Sequence, residues 1–448
     1  MGTDTGNLEV LEREHEAFLS AQAASGQVSA LDTQKQAFEE FKTIGFPTLK
    51  EENWRYTNLK SWAKEPLSFQ AETALVPQNI QGLYEQVIGD LDAYRLVFAG
   101  GKIVEAWSDL ACLPQGLRLT TRDGMDDGQW SQVIAAVNKT WRLEKHGMHA
   151  LNTAFLDQII LVEVDPEVIV DKPLHILHLM DDGENRVLSP RMVLSQGARS
   201  SVTLLESYAG GDDVSYFTNS ATDIFIEESA QLKHVKVQRE GAGAKHFSSL
   251  NIEQATSSTY HLFSLALGSQ ILRNDVQCVL AGESAHCSLD GLSVLSGTEH
   301  VDHFTQIEHQ KEQTTSREFY KGVVGGKATS SFSGKVYVHP EAQKTDAAQT
   351  NRNLLTSRQA RANTKPQLEI YADDVKCAHG ATVGQLDAHA LFYLRSRGIA
   401  EAEAKRLLLM AFVAEVAERS LRGEIKDHVQ AIVEKRLAQG FEVEGMLA

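Results

Sequence analysis

The stretch YADDVKCAHGATVGQLD, residues 371–387, holds Cys377, one of only four cysteines in the chain, and His379 two positions later. If this stretch is a strand, residues i and i+2 face the same side. Thiol and imidazole then stand side by side, roughly 6–7 Å apart at Cα. That spacing lets both reach one metal ion or one sulfur species. It suits a nucleophile–base hydrogen bond less well. Gly380 next door permits close backbone approach or an unusual φ. The bland alternative is a small packed cysteine beside a histidine bonded to a carbonyl. A C-x-H pair alone does not decide between these.

Other candidate groups point less clearly to chemistry. His300 and His303 fall on opposite faces of a strand, and so do His175 and His178. His286 and Cys287 are adjacent and point apart. VVGGKATS lacks the spacing of a phosphate loop and is followed by strand patterns, so it reads as a turn. There is no G-x-S-x-G elbow, no H-E-x-x-H and no dinucleotide fingerprint. No two of Cys112, Cys278, Cys287 and Cys377 form a C-x-x-C pair, which sets aside a zinc knuckle and a disulfide framework. This tilts the reading towards a binding or scaffold protein.

The elements that must position Cys377 and His379 fall in three regions. Residues 1–145 read as an N-terminal, mainly helical domain with a variable segment from about 66. Leu31, Ala37, Phe38, Phe41 and Ile44 recur at helical spacing, and Gly45 and Pro47 stop that helix. Trp54, Tyr56 and Trp62 look like an aromatic anchor on a loop. Residues 146–385 show short period-two runs such as DQIILVEV, TDIFIEE and GKVYVHP, bounded by Gly, Ser, Asn or Asp. That is strand chemistry. Small or polar residues recur ahead of strands around Ala198, Ala230, Thr256, Ala285 and Ala328. Such a repeat suggests stacked coils, a β-helix, with a large β-sandwich as the alternative. Residues 386–448 read as helices ended by Gly398, Gly423 and Gly440 after basic last turns. The middle helix is apolar from Leu407 to Val416. Either it packs tightly on its neighbours or one face docks on a partner.

Composition limits the partners. The 448 residues carry a net charge of −17, with pI about 5.4. Such an acidic surface repels phosphate backbones, so nucleic acid is not expected. No long apolar run or basic amphipathic helix suggests a membrane. The acidic N-terminus has no signal-peptide core, and the sparse cysteines fit a cytoplasmic location.

GFPTLKEENWRYTNL at 45–59, ALNTAF at 150–155, KVYVHPEAQKTDAAQTNRNLL at 335–355 and YADDVKCAHGATVGQLDAHALFYLRSRGI at 371–399 closely resemble the SufB/SufD family. This family belongs to the SUF system of iron–sulfur cluster assembly. Gly380 after the histidine, where SufB-type chains carry glutamate, and the entry motif P-T-x-K-x-E-N-W-x-Y-T are similar to the SufD branch. The N-terminal cysteine cluster of SufB-type chains is missing. The resemblance implies a right-handed parallel β-helix with helical ends, and a scaffold rather than an enzyme. It implies pairing with a SufB-like paralogue through the β-helices. It also implies an ABC-type ATPase, SufC-like, on the C-terminal helices, where Leu407, Leu408, Met410, Phe412 and Val413 would make the contact. Sulfur would come from a cysteine desulfurase with its carrier. His379 would meet iron or a nascent cluster at the interface, with Cys377 in support and Asp373 and Asp374 orienting the imidazole. The alternatives are a β-helix enzyme acting on polysaccharide and an independent iron-binding homodimer.

Overall fold

A computed structural model describes residues 5–24, 30–65, 67–69, 78–141, 146–156, 158–180, 186–212 and 214–438. Its N-terminal elements are α1 (Thr5–Ala24), α2 (Leu31–Ile44), α3 (Gln78–Ile88), β1 (Tyr94–Ala99), β2 (Lys102–Ile103), β3 (Leu117–Thr121), α4 (Asp127–Trp141) and α5 (Gly147–Ala154). Then come β4 (Ile159–Val164), β5 (Leu174–Met180), β6 (Arg186–Leu188), β7 (Arg191–Gln196), β8 (Ser201–Gly210), β9 (Tyr216–Ile226), β10 (Gln231–Arg239), β11 (Lys245–Gln254) and β12 (Thr259–Ala266). The last strands are β13 (Ile271–Leu280), β14 (His286–Leu295), β15 (His300–His309), β16 (Thr315–Val324), β17 (Thr329–Val338), β18 (Asp346–Leu355), β19 (Arg361–Ile370) and β20 (Lys376–Gly384). α6 (Ala388–Ser396), α7 (Glu401–Ser420) and α8 (Gly423–Ala438) follow.

The strands form a parallel β-solenoid of about seven turns. One sheet runs β2-β1-β5-β8-β10-β12-β14-β16-β18-β20 and the other β19-β17-β15-β13-β11-β9-β7-β4-β3. Each coil contributes one strand to each sheet. The β-helix is therefore the architecture, and the sandwich falls away. Only the first rungs depart from parallel pairing, where β1 meets β2 and β3 meets β4 antiparallel. β1, β2 and β3 come from the segment that the sequence pattern reads as mainly helical and variable.

The register explains the uneven repeat. Gln231, Thr259, His286, Thr315, Asp346 and Lys376 stand in one column, 27 to 31 residues apart. Ahead of β8 and of the first five of these strands one residue takes a left-handed conformation: Arg199, Ser229, Ser257, Ser284, Gln313 and Lys344. Ala198, Ala230, Thr256 and Ala285 flank this corner. Ala328 belongs to the opposite corner, beside Gly326, so its separation from Ala285 exceeds one coil. Coils stack closely at the corners. A Cβ on Gly282 would come within 2.0 Å of the backbone nitrogen of Thr256 on the preceding coil.

Inside the solenoid, alternate residues of both sheets form one apolar core, including Leu204, Leu232, Leu262, Leu289, Ile224, Ile252 and Val276. Much of the outer faces is covered too, as parallel sheets favour. The N-terminal segment lies on the second sheet. Trp54 sits under the Arg273 guanidinium at 3.9 Å and stacks on Phe247, while Thr57 donates to Asp302 Oδ2 at 2.5 Å. Trp62 meets Phe46, Phe217 and Phe247, so Trp54 and Trp62 anchor this segment, while Tyr56 is only half-buried. α5, which carries ALNTAF, is fixed by fully buried Arg191. Its guanidinium donates to Asp223 at 2.6 and 2.9 Å, to Asn152 at 3.2 Å and to Thr153 at 3.1 Å.

α7 and α8 lie on the outer face of the first sheet, with Leu409, Val413, Val416, Val429 and Val433 buried against Val235, Phe263, Leu292 and Phe319. Gly398 is left-handed just past α6, as a C-cap glycine should be. Gly423 instead opens α8, because α7 ends at Ser420. Gly440 lies outside the described residues.

Candidate functional site

The solenoid ends abruptly at its C-terminal side. Among the described residues no strand follows β19 and β20 in their sheets, so each leaves one row of backbone N–H and C=O groups unpaired. β20 is exposed at every position except Cys377. Ile370, Tyr371 and Val383 add exposed apolar surface at the same end. An uncovered last coil with apolar side chains at its rim is a template for another chain.

Cys377 and His379 both lie on β20. They pair with Ala347 and Gln349 of β18, which are buried on the inward face. Thiol and imidazole therefore share the inward side of the last rung, at the mouth of the solenoid. Cys377 packs against the interior core, and burial pushes its thiol above its ordinary pKa. A protonated thiol is a poor ligand, so it must lose its proton to bind metal. His379 is exposed to solvent. Among the described residues no group of three or more His, Cys, Asp or Glu side chains is placed to hold a metal. His379 and Cys377 are thus two candidate ligands without a third beside them among the described residues.

Behind His379 the column becomes polar. Gln349 Nε2 donates to Glu318 Oε2 at 2.5 Å, and both residues are buried. Burial pushes the Glu318 carboxyl up to about 7. The sequence pattern missed this pair, because the two residues lie 31 positions apart and only the register of the coils joins them.

Asp373 and Asp374 occupy the turn ahead of β20, where the Asp374 backbone is bound at N by Gln343 and at O by Lys344. Lys376, two residues further on, already stands ~10 Å from His379, three strand steps away. The two aspartates therefore do not orient the imidazole from within this chain. Val413, expected to contact a partner, is buried against the chain's own β-helix, while Leu408, Met410 and Phe412 are half-buried and Leu407 is exposed. The exposed apolar groups nearby are Phe392 and Tyr393 of α6.

His300, His303, His175, His178 and His286 make contacts within the fold. His300 bonds Thr57 Oγ1 at 3.0 Å on the outer face, and His303 bonds Ser293 at 3.0 Å inside. His175 meets Ser207 at 2.9 Å, while His178 is sandwiched between Phe98 and Tyr208. His286 bonds Thr315 and Cys287 faces the core.

Two family models match the chain. One, described as SUF system FeS cluster assembly, SufBD core domain, matches residues 178–412, and the SufBD protein N-terminal region matches residues 12–176. The iron–sulfur cluster assembly protein SufD of Escherichia coli strain K12 is 32% identical over 416 residues, covering 91% of this chain and 93% of that protein. An iron–sulfur cluster assembly SufBD family protein of Synechocystis is 28% identical, covering 94% and 95%. A chloroplastic protein of Arabidopsis thaliana is 25% identical, covering 87% and 83%.

Proposed function

The chain belongs to the SufBD family of iron–sulfur cluster assembly proteins, and from that premise we propose that it is the SufD-type scaffold subunit of a three-component complex. In this reading it does no chemistry alone. A SufB-like chain covers the open end through β19 and β20. A SufC-like ABC ATPase docks on the C-terminal helices beside Phe392, Tyr393 and Leu407. A cysteine desulfurase and its carrier deliver sulfur to the complex, in the cytoplasm. No described helix is long and apolar enough to cross a membrane.

The observation that carries this reading is the position of His379 on an uncovered, inward-facing last rung. A neutral imidazole binds iron well, and thiolates or carboxylates from the covering chain would complete the set. Iron or a nascent cluster is cargo here. It passes through the interface and is not resident in this chain. Cys377 is a supporting thiol at the same mouth, and binding is coupled to its deprotonation.

The test is cluster yield. The chain is co-expressed with its SufB-like and SufC-like partners, as wild type and as His379→Ala, and the complexes are compared by size exclusion and by iron and sulfide content. An intact complex with little iron and sulfide supports the reading. An intact complex with unchanged content makes His379 structural. A homodimer that accumulates iron without either partner would favour the independent iron-binding alternative.

A further inference from the structure

The column that ends at His379 has an unfilled hydrogen-bond acceptor directly behind it. Leu262, Leu289, Glu318, Gln349 and His379 stand in register on successive rungs β12, β14, β16, β18 and β20. Leu262 and Leu289 are apolar, and the last three rungs are polar. Gln349 is 2% exposed and its amide nitrogen is tied to Glu318, the rung further in. The amide also lies close under Gly334 of the facing strand, where a Cβ would stand 2.9 Å from Nε2. The other end of the amide, Oε1, is buried and accepts no hydrogen bond among the described residues. Buried carbonyl oxygens are rarely left so. The next rung outward, ~4.8 Å away at Cα, is His379.

We propose that Gln349, held by Glu318, is a positioning residue for His379. When a second chain covers the open end, Gln349 Oε1 accepts a hydrogen bond from one ring N–H of His379. This fixes the tautomer and turns the other nitrogen, lone pair outward, towards iron. Histidine ligands are commonly oriented in this way by an acceptor on the far nitrogen. The inference rests on the reading of His379 as an iron-meeting residue. It adds that Gln349 and Glu318, whose own atoms touch no iron, set the geometry of that residue.

The test is a double-variant cycle on the co-expressed complex, read as iron and sulfide per intact complex. Gln349→Leu removes the acceptor and should lower cluster content about tenfold, within the range for an outer partner of a metal ligand. In the His379→Ala background the same change should cause no further loss. The exchange Glu318→Gln with Gln349→Glu keeps an acceptor behind His379 and a donor behind that, and should restore much of the yield. If Gln349→Leu does not fold, Gln349→Asn takes its place, because it keeps the amide but draws it back by one methylene. Unchanged content in the Gln349 variant with depletion in His379→Ala overturns this inference and leaves the ligand reading standing. Losses that add in the double variant, or no recovery in the exchange, also overturn it by making Gln349 merely structural. Unchanged content in His379→Ala removes both readings.

Discussion

Lys321 Nζ donates a hydrogen bond to the backbone carbonyl of Phe412 at 2.8 Å, joining the middle of β16 to the middle of α7. The same ammonium pairs with Glu415 and lies over the Phe412 ring at 4.2 Å. Three residues earlier on β16, Glu318 faces the solenoid interior and holds Gln349. One strand thus carries the attachment of the C-terminal helices on one face and the support of the candidate site on the other. Lys321→Met should loosen α7 and cost about 1–3 kcal/mol. Urea unfolding checks the magnitude. Hydrogen exchange should quicken in α7 and α8 while β10 to β13 stay protected, and uniform protection across α7 would refute the tie.

Arg191 is a second test of what holds the parts together. It is fully buried, and Asp223 shares its environment. Arg191→Met strands that carboxylate in the interior and should cost about 3–5 kcal/mol. Changing Asp223→Leu as well removes the stranded charge, and the double variant should regain part of the loss. Thermal unfolding of the three proteins reads this directly. A single variant as stable as wild type would mean that the buried pair does not fasten α5 to the solenoid.

These attachments differ in how far the sequence discloses them. The strands are legible because period-two runs carry their own signature, and the corners because small or polar residues recur near Ala198, Ala230, Thr256 and Ala285. Ala328 shows the limit, since both corners of a coil favour the same residue types and one was read for the other. β1 and β3 lie at the start of the solenoid among helices, and their burial does not alternate. Cys377 and His379 stand out because two residues suffice to place them on one face. Gln349 does not, because its meaning depends on Glu318 and His379, each about thirty residues away. Val413 is lost for a related reason. A helix apolar on much of its girth does not say which side its own chain covers.

The buried Glu318 gives a pH signature. Burial raises its folded pKa to about 7, above the ordinary 4.5. The folded state therefore favours the protonated form. Its contribution is full below about pH 4.5 and is lost as the pH rises towards about 7. The shift corresponds to about 3 kcal/mol at most. Glu318→Gln removes this dependence. Relative to wild type, the variant should gain stability between pH 4.5 and 8, whatever its constant offset. Asp290, raised by burial to about 6, acts in the same window. Buried His175 and His309, lowered by burial to about 3, lose stabilisation as pH falls below 6.5. The difference between variant and wild type at each pH cancels those shared contributions. A difference that stays flat from pH 4.5 to 8 would show that Glu318 does not titrate in this window.

The exposed side of the C-terminal helices gives the last test. Phe392 is 73% exposed, Tyr393 57% and Leu407 40%, while Leu409 and Val413 are buried against the chain's own strands. The two sets separate folding from docking. Leu407→Asp and Phe392→Asp should leave the isolated chain within ~0.5 kcal/mol of wild type, as surface changes usually do. In co-expression they should deplete the SufC-like partner from the purified complex and leave the SufB-like chain bound, because the open end of the solenoid is untouched. Val413→Asp should instead unfold the C-terminal helices of the isolated chain by burying an unpaired charge. Retention of the ATPase by both surface variants would move its docking site away from α6 and the start of α7.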